Sequence, residues 1–208
     1  MIKAIFRDFD GTIGDTIELM FQSANNLAKR HHWKNIPDKK IFRAKSMRTI
    51  IHEMWMHRRQ VPFFVRKIRK YMRLHQKGIQ TFPGMQEVRN TISQRYIIWI
   101  ITSNKITTVK AFLHNNEFIG DSEIYNCGMW NKARKIKKMM NKYQLKNDEV
   151  IYIGDEVRDI HSCKKLWIKI ITVNRWYDDE YLLQKEHPDS IVHTPKEIPE
   201  AIKQLEKK

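Results

Sequence analysis

Near-continuous apolar runs of strand length, set between stretches with helical spacing, constrain this chain more than any other feature of it. The runs fall at residues 2–6, 96–102, 149–153 and 168–173, and helical patterns occupy 106–115, 132–143 and 158–166. A strand that is apolar on both faces must be covered on both. A parallel sheet between two layers of helices meets that condition. Residues 123–126 and 190–192 read as weaker strands, and a last helix begins near Pro195. The expectation is an α/β, Rossmann-like parallel-sheet core, and 208 residues suffice for one core plus a small second module.

One stretch breaks the alternation. Residues 16–80 carry helical spacing and few strand-like runs, so the core is expected to comprise residues 1–15 and 81–208, with a helical insert after its first strand. Phe64, Val65, Ile68, Tyr71 and Met72 share one face of a helix whose first turn suits Pro62, while Arg66, Arg69, Lys70 and Arg73 lie towards the other side. Gly78 and Phe82-Pro83-Gly84 punctuate the return. Sixteen Lys and Arg stand against three acids in the insert, which therefore holds +13 of a formal net charge of +16.

Three strand ends carry polar residues where an open α/β sheet places its ligands. The first is Asp8-Phe9-Asp10-Gly11-Thr12, in which period-two alternation aims both aspartates to one side. Two carboxylates so close repel unless a cation is present or one keeps a proton. Gly11 allows a sharp turn that exposes amides. The second is Thr102-Ser103-Asn104, whose hydroxyls and amide suit phosphate oxygens, and the third is Gly154-Asp155-Glu156-Val157-Arg158-Asp159, whose acids suit a hard divalent cation. Lys132, opening a helix, can offset phosphate charge, and Lys135 in the same basic helix is the alternative.

In this combination and order the residues resemble the four motifs of the haloacid dehalogenase superfamily, and most closely its phosphoglycolate phosphatase-like branch with a helical cap. The resemblance covers essentially the whole chain, with residues 16–80 in the place of the cap. It implies a Mg2+-dependent phosphatase acting on a small phosphomonoester, with Asp8 as the nucleophile and Asp10 as the general acid and base. It further implies that Gly11, Thr12, Thr102, Ser103, Asn104 and Lys132 hold the phosphoryl group. Asp8, the Asp10 carbonyl and Asp155 would ligate the metal, with Glu156 and Asp159 supporting them. Asp10 favours phosphoryl transfer over dehalogenation, because dehalogenases lack this second acid. Arg7 stands where relatives carry an apolar residue and should point away from Asp8. Gly14, at the exit towards the insert, suits a hinge. Arg48 is the insert residue offered as a substrate contact.

Other readings are narrower. His52 and His57 stand five apart, and adjacent His31 and His32 lack partner acids, so neither pair suits zinc. The basic insert reads as a solvated surface, as a surface that draws in a polyanionic metabolite or nucleic acid, or as a face lying on an anionic membrane. A phosphomutase with the same aspartyl-phosphate, and a nucleic-acid-binding protein on this fold, are the alternatives in function. With 41% hydrophobic and 30% charged residues the chain is not disordered as a whole. Its longest apolar stretch, 96–101, is too short to span a bilayer, and Asp8 and Asp10 interrupt any leader core. A cytoplasmic protein with Cys127 and Cys163 as reduced thiols is expected. Oligomeric state is not readable.

Overall fold

The computed structural model describes residues 1–43, 47–118, 123–128, 131–174 and 180–207. Six strands form one sheet in the order β3-β2-β1-β4-β5-β6, and every pairing is parallel. The strands are β1 (Ala4–Arg7), β2 (Ile97–Thr102), β3 (Glu123–Asn126), β4 (Val150–Gly154), β5 (Lys169–Val173) and β6 (Ser190–Val192). Central β1 has Phe6 level with Trp99 of β2 on one side and with Tyr152 of β4 on the other. The chain winds outward through β2 and β3, then returns to β4 on the opposite flank of β1. That reversal makes the carboxyl end of β1 the point where a crevice opens in a doubly wound sheet.

Alternation along the strands feeds two apolar layers. On one face Ala4, Phe6, Trp99 and Tyr152 pack with Ile136 and Met139 of α7 (Lys132–Lys142) and Ile160 and Cys163 of α8 (Val157–Lys164). On the other, Ile5, Phe9, Ile100 and Ile151 meet α5 (Met85–Ser93), α6 (Ile106–Asn115) and α10 (Ile198–Glu206). A short α9 (Glu180–Lys185) adds Leu183 to the first layer. Cys127 and Cys163 are both buried and free of disulfides. Arg7 is also buried on the second layer, with its guanidinium 5.7 Å from the Phe118 ring centroid. Burial and the like charge of Arg89 disfavour its charged form.

Between β1 and α5 lie α1 (Ile17–His31), α2 (Lys39–Arg43), α3 (Met47–Glu53) and α4 (Val61–His75). α4 forms because Phe64, Ile68 and Met72 recur every fourth residue and are buried, with Pro62 in its first turn, where no intrahelical N–H is needed. It packs along α1, and the Asn25 side chain pins the chain after α1 by bonding both the N–H and the C=O of Ile36, at 2.8 and 3.0 Å. The chain leaves and re-enters the sheet layer through two adjacent segments. The Asp15 N–H donates to Gln80 O at 2.9 Å, the Phe82 N–H donates to Ile13 O at 3.1 Å, and Gly14 bridges Thr81. Gly14 lies against the edge-to-face pair Phe9–Phe112, where a Cβ would fall 3.3 Å from both rings. Among the described residues no helix is long and apolar enough to cross a membrane.

Candidate active site

The site begins where β1 runs out. The Asp8 N–H still pairs with Ile153 O at 2.9 Å, so β1 and β4 hold the Asp8 side chain at the crevice between them. Asp8 is buried, and its Oδ1 accepts the N–H of Phe9 at 2.7 Å. Gly11 then turns the chain at φ 71°, in the left-handed region that favours glycine, and Gly11, Ile13 and Gly14 close the turn with bonds among residues 9–14. Thr12 is fully buried, and its hydroxyl donates 2.9 Å to Asp155 Oδ1, tying the first motif to the end of β4.

Asp10 belongs to the same turn and faces the loop after β2. Asn104 Nδ2 donates to Asp10 Oδ2 at 2.7 Å, while Asp10 Oδ1 is buried without a hydrogen-bond partner among the described residues. Burial first, and then the charge of Asp8, push the Asp10 carboxyl up to about 6, with the Asn104 and Thr16 bonds opposing. Thr102 is fully buried and its Oγ1 accepts the Asn104 N–H at 3.0 Å, which fixes the turn that aims Asn104. Ser103 lines the cavity beside Asp10.

Lys132 stands at the first position of α7. Its Nζ lies 2.5 Å from Asp8 Oδ2 and also bonds Asp159 Oδ1, all three groups being buried. Burial alone would lower the Lys132 pKa, but Asp159 and Asp8 override it and hold the ammonium charged. Lys135 lies elsewhere, over the Tyr125 ring. Burial pushes Asp159 up to about 6 in spite of the Lys132 charge. It drives Asp155 well above the usual carboxylate range, with Glu156, Asp8 and Asp159 adding to the effect.

Most residues singled out in the sequence meet here: Asp8, Asp10, Thr12, Asn104, Lys132, Asp155 and Asp159. Gly11 shapes the turn, and Glu156 pairs with Arg158 at the edge, where Arg158 Nη2 donates 2.9 Å to Glu156 Oε1. The Arg48 side chain lies outside the described ones. Sequence reasoning passed over Asn126, at the end of β3. Its amide bonds Ser103 O at 3.2 Å and Asn104 O at 2.5 Å, which pins the loop that carries both residues. The available signal was a polar residue closing a strand next to β2 in the expected sheet.

Asp8, Asp155 and Asp159 bring carboxylate oxygens within 4.8 Å of one another. Lys132 is bonded within this trio, the Arg158 charge lies close enough to Asp8 and Asp159 to interact with them, and Asp155 Oδ2 is buried without a hydrogen-bond partner among the described residues. Buried carboxylates in excess of their counter-charge call for a hard cation with oxygen preference, so this donor set fits Mg2+.

Comparison with known proteins agrees with the geometry. A curated phosphoglycolate phosphatase of Synechococcus elongatus is 23% identical over 98% of this chain and 99% of its own length. Among solved structures, a haloacid dehalogenase-like family hydrolase of Streptococcus pneumoniae superposes with a TM-score of 0.80 at 23% identity, over 97% of this chain and 98% of that one. A protein of Clostridium acetobutylicum described as a predicted phosphatase reaches 0.80 at 16% identity, over 98% and 99%. Residues 4–173 match the family described as haloacid dehalogenase-like hydrolase, and the chain belongs to that family.

Proposed function

We propose that this protein is a phosphoric monoester hydrolase that works through an aspartyl-phosphate on Asp8. The observation that carries the reading is the Asp8–Lys132–Asp159 arrangement at the crevice end of the central strand. A buried carboxylate is held there against a buried ammonium, with a second acid, Asp10, in the adjoining turn. The relative from Synechococcus, a phosphoglycolate phosphatase, supports a small phosphorylated substrate.

In the first step an Asp8 carboxylate oxygen forms a bond to phosphorus as the ester P–O bond breaks, and Asp10 gives its proton to the leaving oxygen. In the second, water attacks the same phosphorus and passes a proton to Asp10, and the bond to Asp8 breaks to release phosphate. A carboxyl raised to about 6 carries a proton readily near neutral pH, and that serves both steps. Thr102, Ser103, Asn104, Gly11 and Thr12 border the space in which the phosphoryl group is held. Lys132, kept in place by Asp159, neutralises charge shared by Asp8 and phosphate. Asp8, Asp155 and the Asp10 carbonyl would hold Mg2+, which when bound shields the carboxylate from the dianionic phosphate. Residues 16–80 would act as a cap, with α1 and α4 covering the cavity that opens at Asp10 and excluding water.

The test is phosphate release from a panel of phosphorylated metabolites and nucleotides with Mg2+, comparing wild type with Asp8→Asn. Release by the wild type and none by the variant is expected. Wild-type turnover in Asp8→Asn would overturn the covalent mechanism, and isomerisation of a sugar phosphate without release would reassign the enzyme as a mutase.

A further inference from the structure

Two cavities meet behind Asp10, and their walls differ in kind. The first, about 60 Å3, has Asp10, Ser103 and Asn104 at the catalytic side and is otherwise walled chiefly by apolar side chains of the helical insert, among them Met20, Phe42, Phe64, Ile68 and Met72. The second, about 290 Å3, is lined by Arg66, Arg69, Lys70 and Arg73 of α4 and by Lys105 at the start of α6, with no acidic residue among the described ones in its lining. Val65 and Arg69 line both.

Arg69 stands at this border because α4 is amphipathic. Phe64, Ile68 and Met72 form its buried stripe, Arg66, Lys70 and Arg73 lie towards solvent, and Arg69 falls between them. Its Nη2 is buried and has no hydrogen-bond partner among the described residues. A guanidinium nitrogen left dry and unbonded beside an apolar chamber is unfavourable unless a ligand completes it. A guanidinium also matches carboxylate and phosphate oxygens in a two-point bond.

Resting on the phosphatase reading, we propose that the substrate carries a second anionic group, a carboxylate or a further phosphate, on an apolar body, and that Arg69 binds that group. The reacting phosphate sits at Asp8 and Lys132 and the apolar body fills the first cavity. The distal anion meets Arg69 at the mouth of the cationic one, where Arg66, Arg73 and Lys105 raise the local potential for anions.

Phenyl phosphate and 4-carboxyphenyl phosphate differ only in the para carboxylate and provide the test. Wild type is expected to favour the carboxylated ester in kcat/KM by about tenfold or more, as a charged hydrogen bond allows. Arg69→Met should bring the ratio to about one, and Arg69→Lys should keep part of it. Equal kcat/KM in the wild type, or a preference that survives Arg69→Met, would overturn the proposal. If neither ester is hydrolysed, phosphate release from the metabolite panel judges the phosphatase reading separately. Calorimetry with phenylphosphonate and 4-carboxyphenylphosphonate then still decides the Arg69 site, because tighter binding of the carboxylated ligand must vanish in Arg69→Met. Melting curves establish that both variants are folded.

Discussion

Gly154, the last residue of β4, lies directly under the Asp159 carboxylate: a Cβ built on Gly154 would fall 2.8 Å from Asp159 Cγ and 2.9 Å from Tyr152 Cε1. No side chain fits there unless Asp159 moves, and Asp159 is what holds Lys132 towards Asp8. Gly154→Ala should therefore act at second hand on Lys132, the lysine proposed as catalytic. Overpacking of this kind costs about 1–3 kcal/mol, to be read from thermal or urea unfolding. Turnover should fall by more than that loss of stability explains, and a folded Gly154→Ala with wild-type kcat would contradict the positioning role of Asp159.

Lys132 and Lys135 separate the cation proposed to act in catalysis from the basic helix around it. Lys132→Ala leaves Asp8 and Asp159 buried without their shared cation, and loss of one such charge stabiliser lowers kcat by about 10²–10³. Lys135→Ala removes a cation that lies over Tyr125 and should change stability by no more than about 0.5 kcal/mol, with turnover unaltered. Steady-state kinetics of the two variants side by side make the comparison, and the reverse ranking would reassign the lysine.

Metal dependence should be visible without any substrate. If Mg2+ binds the folded carboxylate cluster and not the unfolded chain, a concentration about a hundredfold above Kd adds about 2.7 kcal/mol, or about 5–10 °C in Tm for a chain of this size. EDTA should abolish the shift. Asp155→Asn, which removes a buried carboxylate with an unpartnered oxygen, should abolish it as well. An unchanged Tm across a wide range of Mg2+ would sink the assignment.

Asp10 gives a pH-dependent prediction for the metal-free protein. Its folded pKa of about 6 lies above the usual 3.8, so the fold prefers the protonated carboxyl. The ionised group therefore destabilises the fold above about pH 6, and the penalty fades as pH falls towards 4. Asp10→Asn removes the charge, so the metal-free variant should be more stable than wild type by up to about 3 kcal/mol near neutral pH, and the gap should close near pH 4. Melting curves in EDTA across that range test it, while phosphate release by the same variant should be nearly lost.

The sheet, and the polar residues that gather at its strand ends, were legible because they are written in local runs. A strand apolar on both faces, such as Ile97–Thr102, has few alternatives, and Asp8, Thr102 and Asp155 each stand at or just beyond such a run. α5 was passed over: its buried residues are only Met85, Val88 and Ile92, too few in nine positions to stand out after the Pro83-Gly84 turn. Asn126 was missed because its partners are backbone carbonyls of a neighbouring strand's loop, and no spacing encodes those. Gly14 was read as a hinge, and the structure adds a packing reason in Phe9 and Phe112. Arg69 looked like its neighbours on a basic helix face. Its difference is an angular position at the edge of the apolar stripe, which acquires meaning only when the sheet supplies Ser103 and Asn104 opposite.

The hydrogen bonds that build the site join residues 94, 124 and 143 positions apart: Asp10 with Asn104, Asp8 with Lys132, and Thr12 with Asp155. No fragment that ends before Asp155 contains the whole set, so a growing chain is inert until synthesis has passed that residue. Contacts of such separation close late and slowly. Recovery of turnover after dilution from denaturant would then trail the return of helical circular dichroism, making catalysis itself the most stringent reporter of when this sheet has finished assembling.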